Sequence, residues 1–371
     1  MNFFKKLGFL SVYLLVILSN GIFILTHGQF TWTGGLFAYL FVPLVDVIVG
    51  RDSNNVAKND FELLMNDRFF DVVVYSLVYV QILQLFAACY ALVHYPMNAF
   101  QIQGFIFSIG IFSGTMINVA HELGHRSSKA AQFHSKLTLM TVCYMHFFIE
   151  HNRGHHTWVA TPQDPATARK GQSVYAFWWQ SIAGSFYSAW RIEKRLLERA
   201  STPIWSLKNN MIWACVLPLT FCGLLVAFVS GMIGRFAWEV IPFFFAQSLV
   251  AVLLLESINY IEHYGILRRE IAPSKYERVN PLHSWNANHL FSNLVLFQLQ
   301  RHSDHHAYAS RPYQLLRHFD ESPQLPFGYP LMILMATIPP LWFRVMDKRL
   351  EKWQTHAYDA QYIAGVVKSM A

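Results

Sequence analysis

Charged residues are scarce in this chain of 371 residues. Asp, Glu, Lys and Arg together make up 14% of it, against about 25% in soluble proteins, whereas 54% of its residues are hydrophobic. The shortage is concentrated in long runs with little or no charge, which is typical of an integral membrane protein. The net charge of +7 therefore does not indicate nucleic-acid binding. Much of the excess flanks apolar runs, where it sets topology and attracts anionic lipid or acidic partners.

Cysteine is also scarce. The four cysteines form no CxxC pair, which excludes a disulfide framework and a zinc knuckle; they are Cys89, Cys143, Cys215 and Cys222. A secretory leader is not indicated either. Lys5 and Lys6 precede an apolar run, but no convincing small-residue cleavage site follows, and the run is longer than that of a typical leader. We therefore expect a retained first helix.

Six apolar runs are long enough to be membrane spans, each of which needs about 20 residues. They cover residues 7–25, 32–49, 72–94, 102–120, 211–233 and 238–260. Very short, nearly uncharged connections join them in pairs, which predicts three hairpins. The sequence thus predicts an all-α integral membrane protein with six transmembrane helices, forming a single membrane-embedded domain over residues 1–371.

The distribution of Lys and Arg predicts the orientation of these spans. The basic residues lie mainly on the side that carries both termini and the segments 121–208 and 261–350. Because cytosolic loops are enriched in Lys and Arg, we expect both termini and these two helical regions in the cytosol, and the protein in the inner membrane of the cell. Asp46 is an unusual acid inside the second predicted span, where we expect it to pair with the site or with a basic neighbour.

Two further apolar segments predict helices at the membrane surface. Residues 327–346 are interrupted by Pro339 and Pro340, which predicts a kinked helix lying against the membrane. Residues 131–149 contain histidine and lysine along an apolar run, which predicts a second helix on the surface. Residues 191–199 are expected to form a solvated basic segment.

Histidine is abundant where charge is not. Nine of the seventeen histidines fall in four short clusters, each beside the end of an apolar segment. So much imidazole in a hydrophobic chain is costly unless a metal uses it, and nine ligands exceed the needs of one ion. The nine predicted ligands are His121, His125, His151, His155, His156, His263, His302, His305 and His306.

The spacing within the clusters predicts which histidines share a metal. His121 and His125 are four residues apart, so their rings share one face of a helix and can bind one ion. His151 and His155 repeat that spacing, whereas His156 points about 100° away and is available to a second ion. The last cluster, from His302 to His306, is expected to use a single helical face.

Acidic residues accompany each cluster. Metal-bound histidines usually donate their second ring N–H to a carboxylate or carbonyl. This favours a supporting role for four acids, with a bridging role for one or two of them; the candidates are Glu122, Glu150, Glu262 and Asp304. The alternative is that they are ordinary solvated acids.

Several kinds of metal protein fit the clusters in part. The first cluster matches the H-E-x-x-H motif of zinc proteases, but a zinc protease would leave the other three clusters without a role. A metal transporter would place its ligands near the centre of the bilayer, whereas these clusters lie beyond the ends of the predicted spans. Nitrogen ligation suits zinc, copper, iron or nickel, and two metals beside a lipid-facing cavity point to oxygen activation.

Four motifs carry a resemblance to a known family. In this order and spacing, HELGH, EHNRGHH, NYIEHYG and LQRHSDHH resemble the integral-membrane alkane 1-monooxygenases over about residues 35–350. Histidine boxes of this kind are shared with fatty-acid desaturases and xylene monooxygenases, but the last two motifs are more specific to the alkane hydroxylases.

The resemblance implies a function. It implies terminal hydroxylation of medium- or long-chain n-alkanes to primary alcohols, with O₂ as oxidant and the nine histidines as ligands of two non-haem iron ions. It also implies electrons from a separate rubredoxin, reduced by rubredoxin reductase and NAD(P)H, since no rubredoxin is fused here. The alternative is a related di-iron oxygenase or desaturase that acts on fatty acyl chains or alkyl-aromatics.

Two candidate surfaces follow from this interpretation. The first is a substrate tunnel, whose candidate lining residues are Tyr39, Phe41, Val42, Leu44, Ile109, Phe112 and Met116. The second is a basic face for an acidic electron donor, for which the ordinary cytosolic excess of basic residues is an equally good explanation. Its candidate residues are Arg191, Lys194, Arg195, Arg199, Arg268, Arg269, Arg344, Lys348 and Arg349.

Overall fold

The computed structural model describes residues 3–369 and is predominantly helical, as predicted. Its first helices are α1 (Phe3–Gly8), α2 (Ser11–Leu25), α3 (Thr33–Leu36), α4 (Val42–Val49), α5 (Phe61–Met65), α6 (Arg68–His94), α7 (Ala99–Gly124), α8 (Lys129–Met140), α9 (Phe147–Glu150) and α10 (His156–Trp158). The rest are α11 (Val174–Arg199), α12 (Asn210–Ile233), α13 (Val240–His263), α14 (Leu290–Val295), α15 (His302–Ala307), α16 (Tyr329–Ala336), α17 (Pro339–Ala357) and α18 (Ala360–Ser369). A small antiparallel ribbon pairs β1 (Glu270–Ala272) with β2 (Lys275–Tyr276).

Three short 3₁₀ turns and two π-helices complete the described secondary structure. The 3₁₀ turns cover Lys58–Asp60, Pro281–His283 and Tyr313–Leu315. One π-helix, Phe37–Phe41, connects α3 to α4 without a break, and the other, His151–His155, connects α9 to α10. Single turns of π-helix are rare and often mark functional sites. Here one of them contains two predicted ligands.

Four helices are long and apolar enough to cross a membrane, namely α6, α7, α12 and α13. They match four of the six predicted spans. The first predicted span corresponds to α2, whose 15 residues extend about 22 Å. The second is the continuous helical stretch Thr33–Val49, which extends about 25 Å by the same rise per residue. Both are shorter than the roughly 30 Å of a bilayer core, so the structure supports a membrane protein and leaves the six-span arrangement a prediction.

Side-chain caps set where the long helices begin. Asp67 accepts a hydrogen bond from the backbone N–H of Phe69 and so starts α6 earlier than its apolar run predicts. Asn98 and Gln101 form a capping box at the start of α7. These caps satisfy backbone donors that a helix terminus leaves unpaired.

The centre of the bundle is the contact between α7 and α13. Of the most apolar 18-residue stretch of α7, 78% is buried inside the protein, against 39% of the corresponding stretch of α12. Glycines on α7 permit the close approach, because a Cβ at Gly110 would lie 2.5 Å from Val250 Cβ and one at Gly114 would lie 2.7 Å from Leu254 Cδ2. Both helices end in predicted ligands, so this contact brings the ligand segments together.

Two predictions about surface helices are wrong in detail. Residues 327–346 contain the whole of one helix, α16, and the start of another, α17, rather than one kinked helix. The break lies at Pro339 and Pro340, which occupy the first turn of α17, where the missing N–H has no helical partner in any case. Residues 131–149 are likewise divided, because α8 ends at Met140 and Cys143 has a φ of +54°.

The basic segment 191–199 is the last third of α11. Its basic residues are exposed, as predicted, whereas Glu193 and Leu197 are buried beneath them. Within residues 3–369, no ion pair joins Asp46 to a basic residue, which was one of the two partners expected for it. Its Oδ1 accepts a hydrogen bond from the backbone N–H of Ser292 at 2.9 Å, which joins α4 to α14.

Candidate metal centre

Four segments place histidines in one region at the ends of α7 and α13. α7 ends in the first cluster, the π-helix His151–His155 and α10 carry the second, α13 ends at His263, and α15 carries the last. All nine predicted ligands meet here, in two groups.

The first group contains five histidines. Their ring nitrogens lie within 4.8 Å of one another, and the Nε2 atoms form a chain of short separations: 2.9 Å from His121 to His305, 3.1 Å from His305 to His156, 3.1 Å from His156 to His151, and 3.0 Å from His151 to His125. His125 and His156 are half-buried, and the other three are buried.

The second group contains four histidines, all of them buried. The Nε2 separations are 3.3 Å from His155 to His306, 2.9 Å from His306 to His302, and 3.2 Å from His302 to His263. We refer to the two sets as the five-histidine group and the four-histidine group.

The structure assigns two histidines to groups other than those the spacing predicted. His151 shares its group with His156, whereas His155 belongs to the other group. The cause is the π-helix, in which the backbone N–H of His156 donates to the carbonyl of His151, five residues earlier. A π-turn is wider than an α-turn, so it brings residues five apart onto one face. The last cluster is divided as well, because His305 of α15 joins the five-histidine group whereas His302 and His306 join the other.

Gly154 is needed inside this π-helix. A Cβ at that position would overlap the Oε1 atom of Glu150. The glycine therefore allows the carboxyl group of Glu150 to lie against the π-turn, beside the two groups of histidines.

The nitrogen geometry fits bound metal ions. With metal–nitrogen bonds of about 2.1 Å, as imidazole forms with zinc, neighbouring ligands at right angles lie about 3.0 Å apart and tetrahedral ligands about 3.4 Å apart. The Nε2 separations of 2.9–3.3 Å in both groups fall in this range. Each group thus presents nitrogens spaced as the ligands of a single ion.

The protonation states also suit metal binding. Burial lowers the pKa of His125 to about 3. Burial and then repulsion between neighbouring imidazoles hold the pKa values of other ligand candidates well below their usual range; these are His151, His156, His302, His305 and His306. At neutral pH these rings are uncharged, so each can offer a lone pair to a metal.

Glu262 lies closest to the ligands among the four predicted acids. Its Oε2 lies 3.2 Å from His302 Nε2, and its Oε1 accepts a hydrogen bond from the Tyr329 hydroxyl at 2.7 Å. Because it approaches the same nitrogen that a metal would use, this carboxylate is at the edge of the four-histidine group. Glu150 is also buried nearby, and burial followed by the charge of Asp164 raises its pKa to about 8.

The other two acids contact arginines. Glu122 accepts hydrogen bonds from Arg126 at 3.1–3.2 Å. The Asp304 carboxylate forms ion pairs with Arg311 and Arg317. Within residues 3–369, no hydrogen bond joins either acid to a predicted ligand. Their expected support of the ligands is therefore not seen.

Asp164, which the sequence motifs do not indicate, supports a ligand directly. Its Oδ2 lies 2.9 Å from His155 Nδ1 and accepts a hydrogen bond from the Thr167 hydroxyl at 2.6 Å. Burial lowers the pKa of His155, but attraction to Asp164 outweighs this and raises it overall. In the same group, the Nδ1 atoms of His263, His302 and His306 have no partner among the described residues. Asp164 thus fixes one ring of the four.

An apolar cavity lies beside the two groups. It has a volume of about 50 Å³ and lies between α2, the stretch from the first π-helix to α4, α7, α13 and α16. On α7 it reaches Asn118, three residues before His121, and on α13 it reaches Ile258. Its other walls include Leu15, Phe37, Ala38, Ile111, Gly114, Thr115, Leu254, Tyr329 and Ile333.

Only part of the predicted tunnel lining is correct. Tyr39 and Val42 line the cavity, but Phe41 and Leu44 are exposed on the outside of the bundle. On α7 the predicted residues Ile109, Phe112 and Met116 are buried in the packing between helices, and the cavity is lined by a different face. The cavity is thus lined by a face of α7 other than the one predicted, and its role as a substrate tunnel stays a prediction.

The chain is similar to several proteins named as monooxygenases. A family model described as fatty acid desaturase matches residues 98–336. The chain is 41% identical to an alkane 1-monooxygenase of Acinetobacter baylyi over 322 residues, covering 86% of this chain and 77% of the relative. It is 43% identical to alkane 1-monooxygenase 1 of Pseudomonas aeruginosa, covering 84% and 80%.

A more distant relative has a different substrate in its name. The hydroxylase component of a xylene/toluene monooxygenase from Pseudomonas putida is 29% identical over 256 residues, covering 68% of this chain and 66% of the relative. The alkane enzymes are more similar to this chain and cover more of it. The chain therefore belongs to the alkane 1-monooxygenase family, as the histidine motifs predicted.

Proposed function

We propose that this protein hydroxylates the terminal carbon of medium- or long-chain n-alkanes to give primary alcohols, using O₂ and electrons from a separate rubredoxin. The observation that carries the proposal is the pair of histidine groups, together with an apolar cavity whose lining on α7 reaches Asn118, three residues before His121. Membership of the alkane 1-monooxygenase family supports the same reaction.

Two non-haem iron ions are the proposed cofactor. One ion would be held by the five-histidine group and the other by the four-histidine group, with Glu262 as an additional or bridging ligand candidate. When bound, the iron pair supplies the reduction of O₂ that makes oxidation of an unactivated C–H bond possible. The protein holds neutral nitrogens in place, and Asp164 keeps the Nε2 of His155 turned towards its group.

The cavity supplies the selectivity for the end of the chain. Terminal C–H bonds are stronger than internal ones, so positioning must decide which carbon reacts. Most residues that line the cavity are apolar. The side-chain amide of Asn118 already donates a hydrogen bond to the carbonyl of Leu296 at 2.6 Å. Such a cavity favours an extended alkane and excludes water from the reacting carbon.

The proposed membrane arrangement keeps all six spans. α2 and Thr33–Val49 pair as the first hairpin, and thinning of the bilayer or tilted neighbours would accommodate their short length. The histidine groups then lie at the cytosolic ends of α7 and α13, with both termini in the cytosol and the protein in the inner membrane. This orientation rests on the distribution of Lys and Arg.

The electron donor is proposed to dock over the half-buried edge of the five-histidine group. His125 and His156 are the ligand candidates nearest to solvent. Arg153 is exposed in the same segment, and Arg268 donates a hydrogen bond to the carbonyl of Thr157, next to His156. These cations would attract an acidic rubredoxin. The basic end of α11 and the exposed residues of α17 remain rival docking surfaces.

A related substrate class is the second candidate. In this alternative the substrate is an alkyl-aromatic or a fatty acyl chain instead of an alkane. It is supported by the similarity to the xylene/toluene monooxygenase and by the match to the desaturase model. Product analysis separates these, since a desaturase leaves no oxygen in its product.

The test uses membranes that contain the protein, supplied with n-octane or n-hexadecane, ¹⁸O₂, NADH, rubredoxin and its reductase. We expect ¹⁸O-labelled 1-alkanol and about two iron ions per chain. His305→Ala should abolish the product, whereas His134→Ala, outside both groups and bonded to Tyr79, should not. Bound iron without product from either alkane would overturn the substrate assignment, and a protein without iron would overturn the di-iron centre.

A further inference from the structure

A second cavity lies on the opposite side of α13 from the alkane cavity. It is an open groove between α11, α13 and the segment from Val142 to His146, with a volume of about 410 Å³. On α13 it is lined by Phe245, Ser248, Leu249 and Val252. These residues recur every three or four positions and so form one stripe, whereas Leu254 and Ile258 face the alkane cavity from the other side of the helix.

The mouth of this groove faces the bilayer. Leu249 is 55% exposed and Phe245 43% exposed on α13, which is one of the four long apolar helices. Across the groove, Phe186 and Tyr187 of α11 are also exposed. Apolar side chains exposed together on a membrane helix are in contact with lipid, so a ligand would enter the groove from the membrane.

A buried histidine at the inner end lacks a partner. His146 lines the groove and is 6% exposed, and its Nε2 has no hydrogen-bond partner within residues 3–369. Its ring packs against Tyr144 and Phe186 at centroid distances of 4.4 and 5.3 Å. A buried polar nitrogen without a partner is unfavourable. A ligand atom in the groove would give this imidazole a hydrogen-bond partner if the ring turned its buried nitrogen towards the groove.

The groove is suited to a neutral head group. Of the side chains that the structure places on its walls, none is Asp, Glu, Lys or Arg. Burial lowers the pKa of His146 to about 4, so the imidazole is uncharged at neutral pH and offers no cation to a carboxylate or phosphate. An apolar pocket with few polar groups typically fixes a ligand by those groups. Here the ligand would be a single apolar chain that ends in a hydroxyl.

We propose that this groove binds long-chain primary alcohols, with the hydroxyl hydrogen-bonded to the imidazole of His146 and the chain lying against Phe245 and Leu249. The identity of the alcohol as the enzyme's own product rests on the proposed function. The groove is separated from the five-histidine group by Phe147, which stacks on His151 at 4.6 Å and on Tyr144 at 6.0 Å. It is therefore a separate site on the lipid side of the protein, where a product could be held outside the reaction cavity.

The test is photolabelling of the full-length protein in phosphatidylcholine nanodiscs. The probe is a long-chain 1-alkanol with a diazirine near its hydroxyl, and the labelled peptides are identified by mass spectrometry. We expect labels in residues 142–148 and 245–252, suppressed by excess 1-hexadecanol but not by n-hexadecane or hexadecanoate. Equal suppression by n-hexadecane would show an unselective lipid groove, and labels confined to residues 111–118 would place the alcohol in the alkane cavity; either result would overturn the proposal.

Two variants test the contacts. His146→Phe removes the hydrogen bond and should reduce specific labelling about five- to tenfold, while the matched His134→Phe should leave it unchanged. Ala183→Trp fills the groove from α11 and should also reduce labelling, which keeps the test valid if His146→Phe fails to fold. Unchanged labelling in both groove variants would overturn the proposal.

The outcome is independent of the catalytic assignment. Labelling of the groove in a protein that makes no alkanol would retain the binding site and reject the proposed reaction. Conversely, a protein that makes ¹⁸O-labelled alkanol without labelling of the groove would retain the reaction and reject this site.

Discussion

The two histidine groups differ in what surrounds them. The five-histidine group has two half-buried members, His125 and His156, and within the described residues none of its rings is hydrogen-bonded to a carboxylate. The four-histidine group is fully buried and has acids on two sides, Asp164 at His155 and Glu262 at His302. The five-histidine group is therefore nearer to solvent, whereas the four-histidine group is buried and contacts carboxylates.

This difference indicates different tasks for two similar ligand sets. Carboxylates that hold histidine rings raise their basicity and fix their orientation, so the four-histidine group should bind its metal with less rearrangement. A half-exposed imidazole edge shortens the path from a docked electron donor. The contrast therefore predicts that substitutions near the two groups will fail in different ways.

Removal of one ligand from each group should have the largest effect. We expect His125→Ala and His302→Ala each to lose most activity and to reduce bound iron from about two ions to about one. His302→Ala should also lower the melting temperature more, because it leaves a polar gap in a fully buried site. Metal analysis and thermal unfolding of the purified proteins measure both effects. If the two variants are equally destabilised, the proposed contrast in rigidity is wrong.

Glu262→Gln should have the next largest effect. The amide retains a partner for Tyr329 but removes the negative charge beside His302, so we expect a loss of about ten- to a hundredfold in iron affinity or activity. Glu122→Gln is the matched control, since Glu122 contacts Arg126. Titration of apoprotein with ferrous iron would measure this, and equal affinities in the two variants would remove Glu262 from the metal site.

Asp164→Asn should have a smaller effect on the same group. Asparagine still offers an oxygen to His155 Nδ1 but no charge, so we expect about a tenfold loss of iron affinity. Thr167→Val removes only the hydroxyl that donates to Asp164 and should cost less. A loss in Thr167→Val as large as that in Asp164→Asn would show that the hydrogen-bond network, rather than the charge, supports His155.

The sequence predicted which histidines meet but not how they divide. Nine ligands at the ends of apolar segments were expected to converge, because helices of similar length end at the same face of a membrane. The division depends on the π-turn at His151, which no i, i+4 pattern reveals. Gly154 was a visible sign, since glycine inside a helix is unfavourable unless the backbone or a neighbour requires it.

Two other errors have equally physical causes. Asp164 was missed because it lies nine residues beyond His155, within a loop, and only the folded chain brings the two together. The cavity face of α7 was wrong because that helix is apolar on nearly all sides, so hydropathy does not fix its rotation. The small residues Gly114 and Thr115 marked the correct face.

Charge reversal at Arg153 should have the smallest effect. It tests whether the electron donor docks at the solvent-exposed edge of the five-histidine group. We expect Arg153→Glu to reduce kcat/KM for rubredoxin about two- to fivefold and to weaken its dependence on salt, because a charge at the rim of an interface acts mainly on encounter. Iron content should stay unchanged, unlike in the substitutions near the four-histidine group. Arg344→Glu, exposed on α17, is the matched control. Steady-state assays at several ionic strengths would decide the matter: a larger effect at Arg344 would move the docking surface from the edge of the five-histidine group to α17.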